Sequence, residues 1–162
     1  MGQGEGIRML ITFKFRYPVS LTMMFEKEHH ANLRFTLREK RKLLKDAITI
    51  WMFDRGAIVG ETYGVPLNRL DDVPEGCPCD PESIYCYSTT ILSRYQNRGY
   101  GKILKAAFIA RVARDFRKIY GHARPGPSQE LNKSFGARFS RTYKNWYGTG
   151  QDYRLYLLVL DA

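Results

Sequence analysis

Cysteine is scarce: Cys77, Cys79 and Cys86 are the only three in 162 residues. An odd number in a chain of this length argues against a disulfide framework. Cys77-Pro78-Cys79 resembles half a zinc site, but a tetrahedral site takes four ligands. The three histidines, His29, His30 and His122, lie far from it in sequence. Reduced cysteines and no metal are expected. Long apolar runs are also missing. No stretch approaches the roughly 18 consecutive apolar residues of a membrane span. The opening MGQGEGIRML lacks the apolar centre of a signal peptide, and Gly6 stands where a myristoylation site needs Ser or Thr. The expectation is a soluble, cytoplasmic protein with no membrane partner.

Acids are the third shortage. Sixteen Asp and Glu stand against 26 Lys and Arg, for a net charge of +10. The imbalance is uneven. Between Arg94 and Lys144 there are thirteen basic residues and two acids, whereas between Asp54 and Glu82 there are seven acids and two arginines. One part of the surface should attract anions and another cations.

What is present fits one domain over residues 1–162, with 44% hydrophobic residues to build its core. Arg8 to Phe15 reads as a strand. Residues 19–47 carry two short helices. The run from Ala47 to Leu67 reads as a hairpin turning at Asp54-Arg55-Gly56. Residues 67–82, rich in Pro, Gly and Asp, read as a surface loop. Ser83 to Leu92 alternates as a strand. Leu104, Phe108, Val112 and Phe116 repeat every four residues and mark a helix from Tyr100 to about Phe116. KIYGHA is a short strand. Pro127 to about Phe135 is a helix closed by Gly136. Residues 137–148 and 153–160 supply the last two strands. The order is β, α, α, β, β, β, α, β, α, β, β, a mixed α/β domain on one central sheet.

YQNRGYGKIL, Tyr95 to Leu104, joins a strand to a helix through a glycine-containing loop. Such a junction gathers unsatisfied N–H groups and the positive end of a helix dipole, which suits a diphosphate. Gly99 and Gly101 allow close approach. Gln96, Arg98 and Lys102 offer side-chain donors. The P-loop is excluded because no G-K-[ST] occurs, and the dinucleotide fingerprint because position 104 is Leu104.

The stretch resembles the acyl-CoA motif [QR]-x-x-G-x-[GA] of the GNAT superfamily of N-acetyltransferases, met by Gln96, Gly99 and Gly101. Ile91 and Tyr95 fit the strand end that precedes this motif, and Ser128 and Gly136 fit a second spacing. Pro125 departs from the usual asparagine. The resemblance implies a GNAT-like α+β fold: a mixed, mostly antiparallel sheet of six to seven strands, about four helices and splayed central strands. It implies acetyl-CoA as cosubstrate. Backbone groups near Ile91 and Leu92 would meet the pantetheine arm and polarise the thioester. The loop Gln96, Asn97, Arg98, Gly99, Tyr100, Gly101 and Lys102 would hold the pyrophosphate. Ser128 and Asn132 would also reach CoA.

Transfer to an amine needs a neutral amine and a fate for the thiolate. Glu61, in a strand among apolar residues, is the candidate base, with Glu82 and Asp80 behind it. The family's tyrosine acid falls on Asn132, which cannot serve. Tyr143 and Tyr147 are the alternatives. The acidic loop from Asp71 to Glu82 would draw a cationic primary amine. The excess basic charge leaves open a nucleic-acid-linked amine such as an aminoacyl-tRNA, and the missing tyrosine leaves open a non-catalytic acyl-CoA-binding module. Monomer and homodimer are equally compatible.

Overall fold

A computed structural model describes residues 10–161. Eleven elements follow in the expected order: β1 (Ile11–Lys14), α1 (Val19–Thr22), α2 (Leu37–Lys45), β2 (Ile48–Asp54), β3 (Ala57–Pro66), β4 (Ser83–Ile91), α3 (Tyr100–Val112), β5 (Lys118–Ala123), α4 (Pro127–Ser134), β6 (Arg138–Tyr143) and β7 (Tyr153–Val159). Arg8 and Met9 of the expected first strand lie outside the described residues. The seven strands form one sheet in the order β1-β2-β3-β4-β5-β7-β6. Every pairing is antiparallel except β4 with β5.

Local chemistry explains several boundaries. The β2–β3 hairpin turns on Arg55 and Gly56, both at positive φ (50° and 79°), as a two-residue turn matched to strand twist requires. α2 starts at a capping box: Glu39 N–H donates to Thr36 Oγ1 at 3.2 Å, and Thr36 N–H to Glu39 Oε2 at 2.7 Å. The strand expected over 137–148 is shorter. It stops at Tyr143, because Asn145 and Tyr147 both turn left-handed and the chain closes a short 3-10 turn over Trp146–Gly148. α3 also ends early, at Val112, one turn before Phe116.

β2 sorts its side chains by parity. Ile50 and Met52 join Val59, Ile84, Leu104, Phe108 and Val112 in the main core beneath α3. Trp51 and Phe53 join Phe25 and Leu92 in a second cluster. The sheet is thus covered on both faces, and β4 and β5 are held at its centre.

Candidate active site

β4 and β5 pair over three positions only, Ser83–Tyr85 against Lys118–Tyr120. Beyond that, β4 runs on beside β3 to Ile91, while β5 runs on beside β7 to Ala123. A V-shaped gap opens between them. α3 begins at its open end, with Gly99 as N-cap at φ 83°, a left-handed conformation that favours glycine. The first N–H groups of a helix have no partner within it, and the helix dipole adds positive potential there. A cleft of about 900 Å³ runs through the gap, lined at this end by Ile91, Gln96, Asn97, Gly99, Gly101 and Ser128. That volume suits a sizeable organic ligand.

The opposite end is aromatic. Phe35, Tyr63, Tyr85, Tyr87, Trp146 and Tyr147 line it. Tyr87 packs edge-on against Tyr85 at 4.8 Å between centroids, and His122 stacks on Trp146 at 4.2 Å. His122 Nδ1 meets the Tyr85 hydroxyl at 2.7 Å. Burial lowers His122 to about 4, so its ring is neutral at pH 7. Asp72 and Glu75 of the acidic loop reach this end. Asn32 Nδ2 donates to the carbonyls of Tyr147 and Gly148 (3.1 and 3.0 Å), joining two loops that border the cleft.

His29 stands between the two ends, a residue that sequence reasoning considered only as a metal ligand. Its Nε2 lies 3.4 Å from Ser88 Oγ and 3.3 Å from Thr90 Oγ1 on β4. The segment carrying it is pinned to the end of β4, where the Glu28 carboxylate accepts from Ser93 N–H at 3.0 Å and from the Ser93 hydroxyl. Burial is the main force lowering the pKa of His29. Lys40 and Arg124 add to the effect, while Glu26 and Glu28 oppose it.

Several expected site residues stand elsewhere. Glu61 is 1% exposed and does not line the cleft. Its Oε1 accepts from Lys40 Nζ at 2.6 Å and its Oε2 from Trp51 Nε1 at 2.7 Å. Burial raises its pKa, as expected for a base, and Lys40 and Trp51 pull it part of the way back. Both of its oxygens are bonded to side chains, and Glu61 does not face the cleft. The Tyr143 hydroxyl donates to the Glu75 carbonyl at 3.1 Å, so it ties down the acidic loop. Tyr147 lines the cleft but is 67% exposed. Leu92 is buried in the second cluster and its N–H donates to Val59 O, so it has no N–H to offer a pantetheine arm. Gln96 Nε2 donates to Ile91 O at 3.0 Å and holds the edge of the gap.

The Tyr100 side chain turns inward, its hydroxyl bonded to Asp54, while its backbone opens α3. The guanidinium of Arg98 sits over the Tyr95 ring at 5.7 Å, and Lys102 is exposed; neither lines the cleft. Asn132 does line it: Nδ2 donates to Ser128 O at 2.8 Å, while Oδ1 is buried without a partner among the described residues. An unpaired buried acceptor facing a cleft suits a ligand N–H. Among the described residues, no group of three His, Cys, Asp or Glu gathers to hold a metal ion, and no helix is long and apolar enough to cross a membrane.

No protein-family model and no curated protein sequence matches the chain. Solved structures do. The ribosomal-protein-S18-alanine N-acetyltransferase of Escherichia coli superposes with a TM-score of 0.75 at 12% identity, over 94% of this chain and 96% of that one. NAA60 of Arabidopsis thaliana, solved with a bisubstrate analogue, gives 0.72 at 17% identity, over 92% and 97%. Salmonella typhimurium yncA, solved with its cofactor acetyl-CoA, gives 0.71 at 14% identity, over 94% and 95%. The likeness extends along nearly the whole chain: this protein has the fold of the GNAT N-acetyltransferases.

Proposed function

We propose that the chain acts as one acyltransferase domain that moves the acetyl group of acetyl-CoA directly to a primary amine, both substrates being bound together. The observation that carries this reading is the continuous cleft. It begins at the α3 N-terminus, passes through the β4/β5 gap and ends among aromatic rings with Asp72 and Glu75. The glycine-capped helix start suits the CoA diphosphate. The gap suits the pantetheine arm, with Asn132 Oδ1 as acceptor for an amide N–H. The acidic, aromatic end suits a cationic amine. The basic stretch from Arg94 to Lys144 keeps a nucleic-acid-linked amine among the acceptors to assay.

His29 is the base in this scheme. A neutral imidazole beside Ser88 and Thr90 can take the proton of the attacking amine, directly or through a water. Its lowered pKa keeps it neutral at pH 7. The bound ammonium first gives one proton to His29, which frees its lone pair; that lone pair forms the N–C bond, the C–S bond breaks with its electrons on sulfur, and the second amine proton leaves to solvent.

Calorimetry tests the binding half. Acetyl-CoA should bind the wild type, and at least about tenfold more weakly Gly99→Glu, which puts a carboxylate at the helix start. Equal binding by both proteins would remove the diphosphate site. His29→Gln tests the chemical half. Thiol release on an amine panel should fall by about 10²–10⁴-fold in kcat while the acetyl-CoA Kd holds. The acidic limb of wild-type kcat/KM should lie below 6.5, because the group that must be deprotonated has a lowered pKa.

A further inference from the structure

Lys105 is 1% exposed and lines the cleft at the apex of the V, where β4 and β5 part. Three elements converge on it. From β4, Cys86 Sγ lies 3.5 Å from its Nζ. From β7, the Tyr156 hydroxyl lies 3.3 Å away. From its own helix, the Phe108 ring centroid lies at 5.7 Å. No carboxylate pairs with it among the described residues. An ammonium carries three donors. Two point at Cys86 and Tyr156, and the third has no partner among the described residues. A buried cation without an anion is costly, and fold stability alone does not account for retaining it.

The surroundings hold the charge at the apex. Tyr156 reaches it by lying across β5, where its cross-strand partner is Gly121. A Cβ at position 121 would sit 2.5 Å from the Tyr156 hydroxyl oxygen, so only glycine leaves the ring room to cross. Burial, with Cys86 and Tyr85 adding to it, keeps Tyr156 protonated well above the usual phenol range. The Cys86 thiol donates toward Ser88 O at 3.6 Å, which leaves its sulfur lone pairs toward Lys105.

We infer that Lys105 receives the negative charge that develops on the CoA sulfur as the C–S bond breaks, with the Tyr156 hydroxyl completing the site. This rests on the acyl-CoA reading above. It answers the problem left by Asn132, which cannot protonate a thiolate. The departing thiolate is held as the anion by a fixed ammonium in a water-poor site, where such contacts count most. It takes its proton from solvent on release.

The test compares CoA with desulfo-CoA, which lacks the sulfur, by calorimetry at pH 7 and pH 9. A bound thiol whose pKa falls by one unit gains about tenfold in affinity once ionised. Wild type should prefer CoA over desulfo-CoA severalfold more at pH 9 than at pH 7, approaching that limit as pH rises. Lys105→Met should lose that pH-dependent preference while binding desulfo-CoA within about twofold of wild type, since only the sulfur contact is removed. Lys105→Arg, which keeps the charge, should retain part of it. Should Lys105→Met not fold, Lys105→Gln reads the same quantity. A preference that survives in Lys105→Met or Lys105→Gln overturns the inference. Failure of wild type to bind either compound overturns the acyl-CoA reading and this inference with it; binding of both with no pH-dependent preference overturns the inference alone.

Discussion

Two lysines are buried to the same degree in this molecule, and their surroundings are opposite. Lys40 of α2 is 0% exposed and bonds two carboxylates, Glu26 at 2.7 Å and Glu61 at 2.6 Å, beneath the Tyr63 ring. Lys105 of α3 is 1% exposed and has the Cys86 thiol, the Tyr156 phenol and the Phe108 ring. The first is closed. Each Glu61 oxygen is used, and Glu26 Oε2 accepts from Phe35 N–H at 3.0 Å. The second is open on the cleft side. A closed ionic cluster holds elements together, here α2 and the segment before His29 against β3. An open one is available to something that is not part of the chain.

Stability measurements should separate the two most sharply. Lys40→Met strands two buried carboxylates, and denaturant titration should show a loss of about 3–5 kcal/mol. Lys105→Met strands none, and the same titration should show little loss or a gain. Equal losses would end the comparison. Gly121→Ala comes next. The added Cβ meets the Tyr156 ring and should cost about 1–3 kcal/mol. It should also lower kcat by displacing the hydroxyl from Lys105, an effect a purely structural contact would not produce at unchanged acetyl-CoA Kd.

Glu61→Gln sharpens the comparison from the other side. It removes one charge of the closed cluster and keeps acceptor oxygen for Trp51. Unfolding should become easier, while any kcat of the folded protein in the amine assay stays within about twofold, since the side chain lies outside the cleft. A large fall in kcat with an unchanged fold would return Glu61 to the mechanism. The smallest effect belongs to Asn32→Ala, which releases the carbonyls of Tyr147 and Gly148. It should cost about 1 kcal/mol and alter the KM for the amine more than that for acetyl-CoA.

Much of the architecture was readable before the structure. The element order, the Arg55-Gly56 turn, the helix from Tyr100 and its Leu104–Phe108–Val112 stripe follow from periodicity and turn chemistry, which act over a few residues. The end of the cleft at the start of α3 was readable for the same reason, because a strand, a loop and a helix adjacent in sequence build it. The middle of the cleft was not. His29 lies 59 residues from Ser88, and only the packing of the segment after α1 against β4 brings them together. The partner of Glu61 was not readable either, because a carboxylate among apolar residues looks alike whether it faces a substrate or a lysine.

The two lysines mark that boundary most clearly. Neither stands out locally: Lys40 has Arg38, Arg41 and Lys42 around it, and Lys105 follows Lys102. Helical periodicity can assign a residue to one face of its helix. It carries no information on what waits across the interface, since partners such as Glu61 and Tyr156 come from strands 21 and 51 residues away. Tertiary packing brought two carboxylates to one lysine, Glu61 from β3 and Glu26 from the segment after α1, and none to the other among the described residues, and that difference separates a structural ion cluster from a candidate site of reaction.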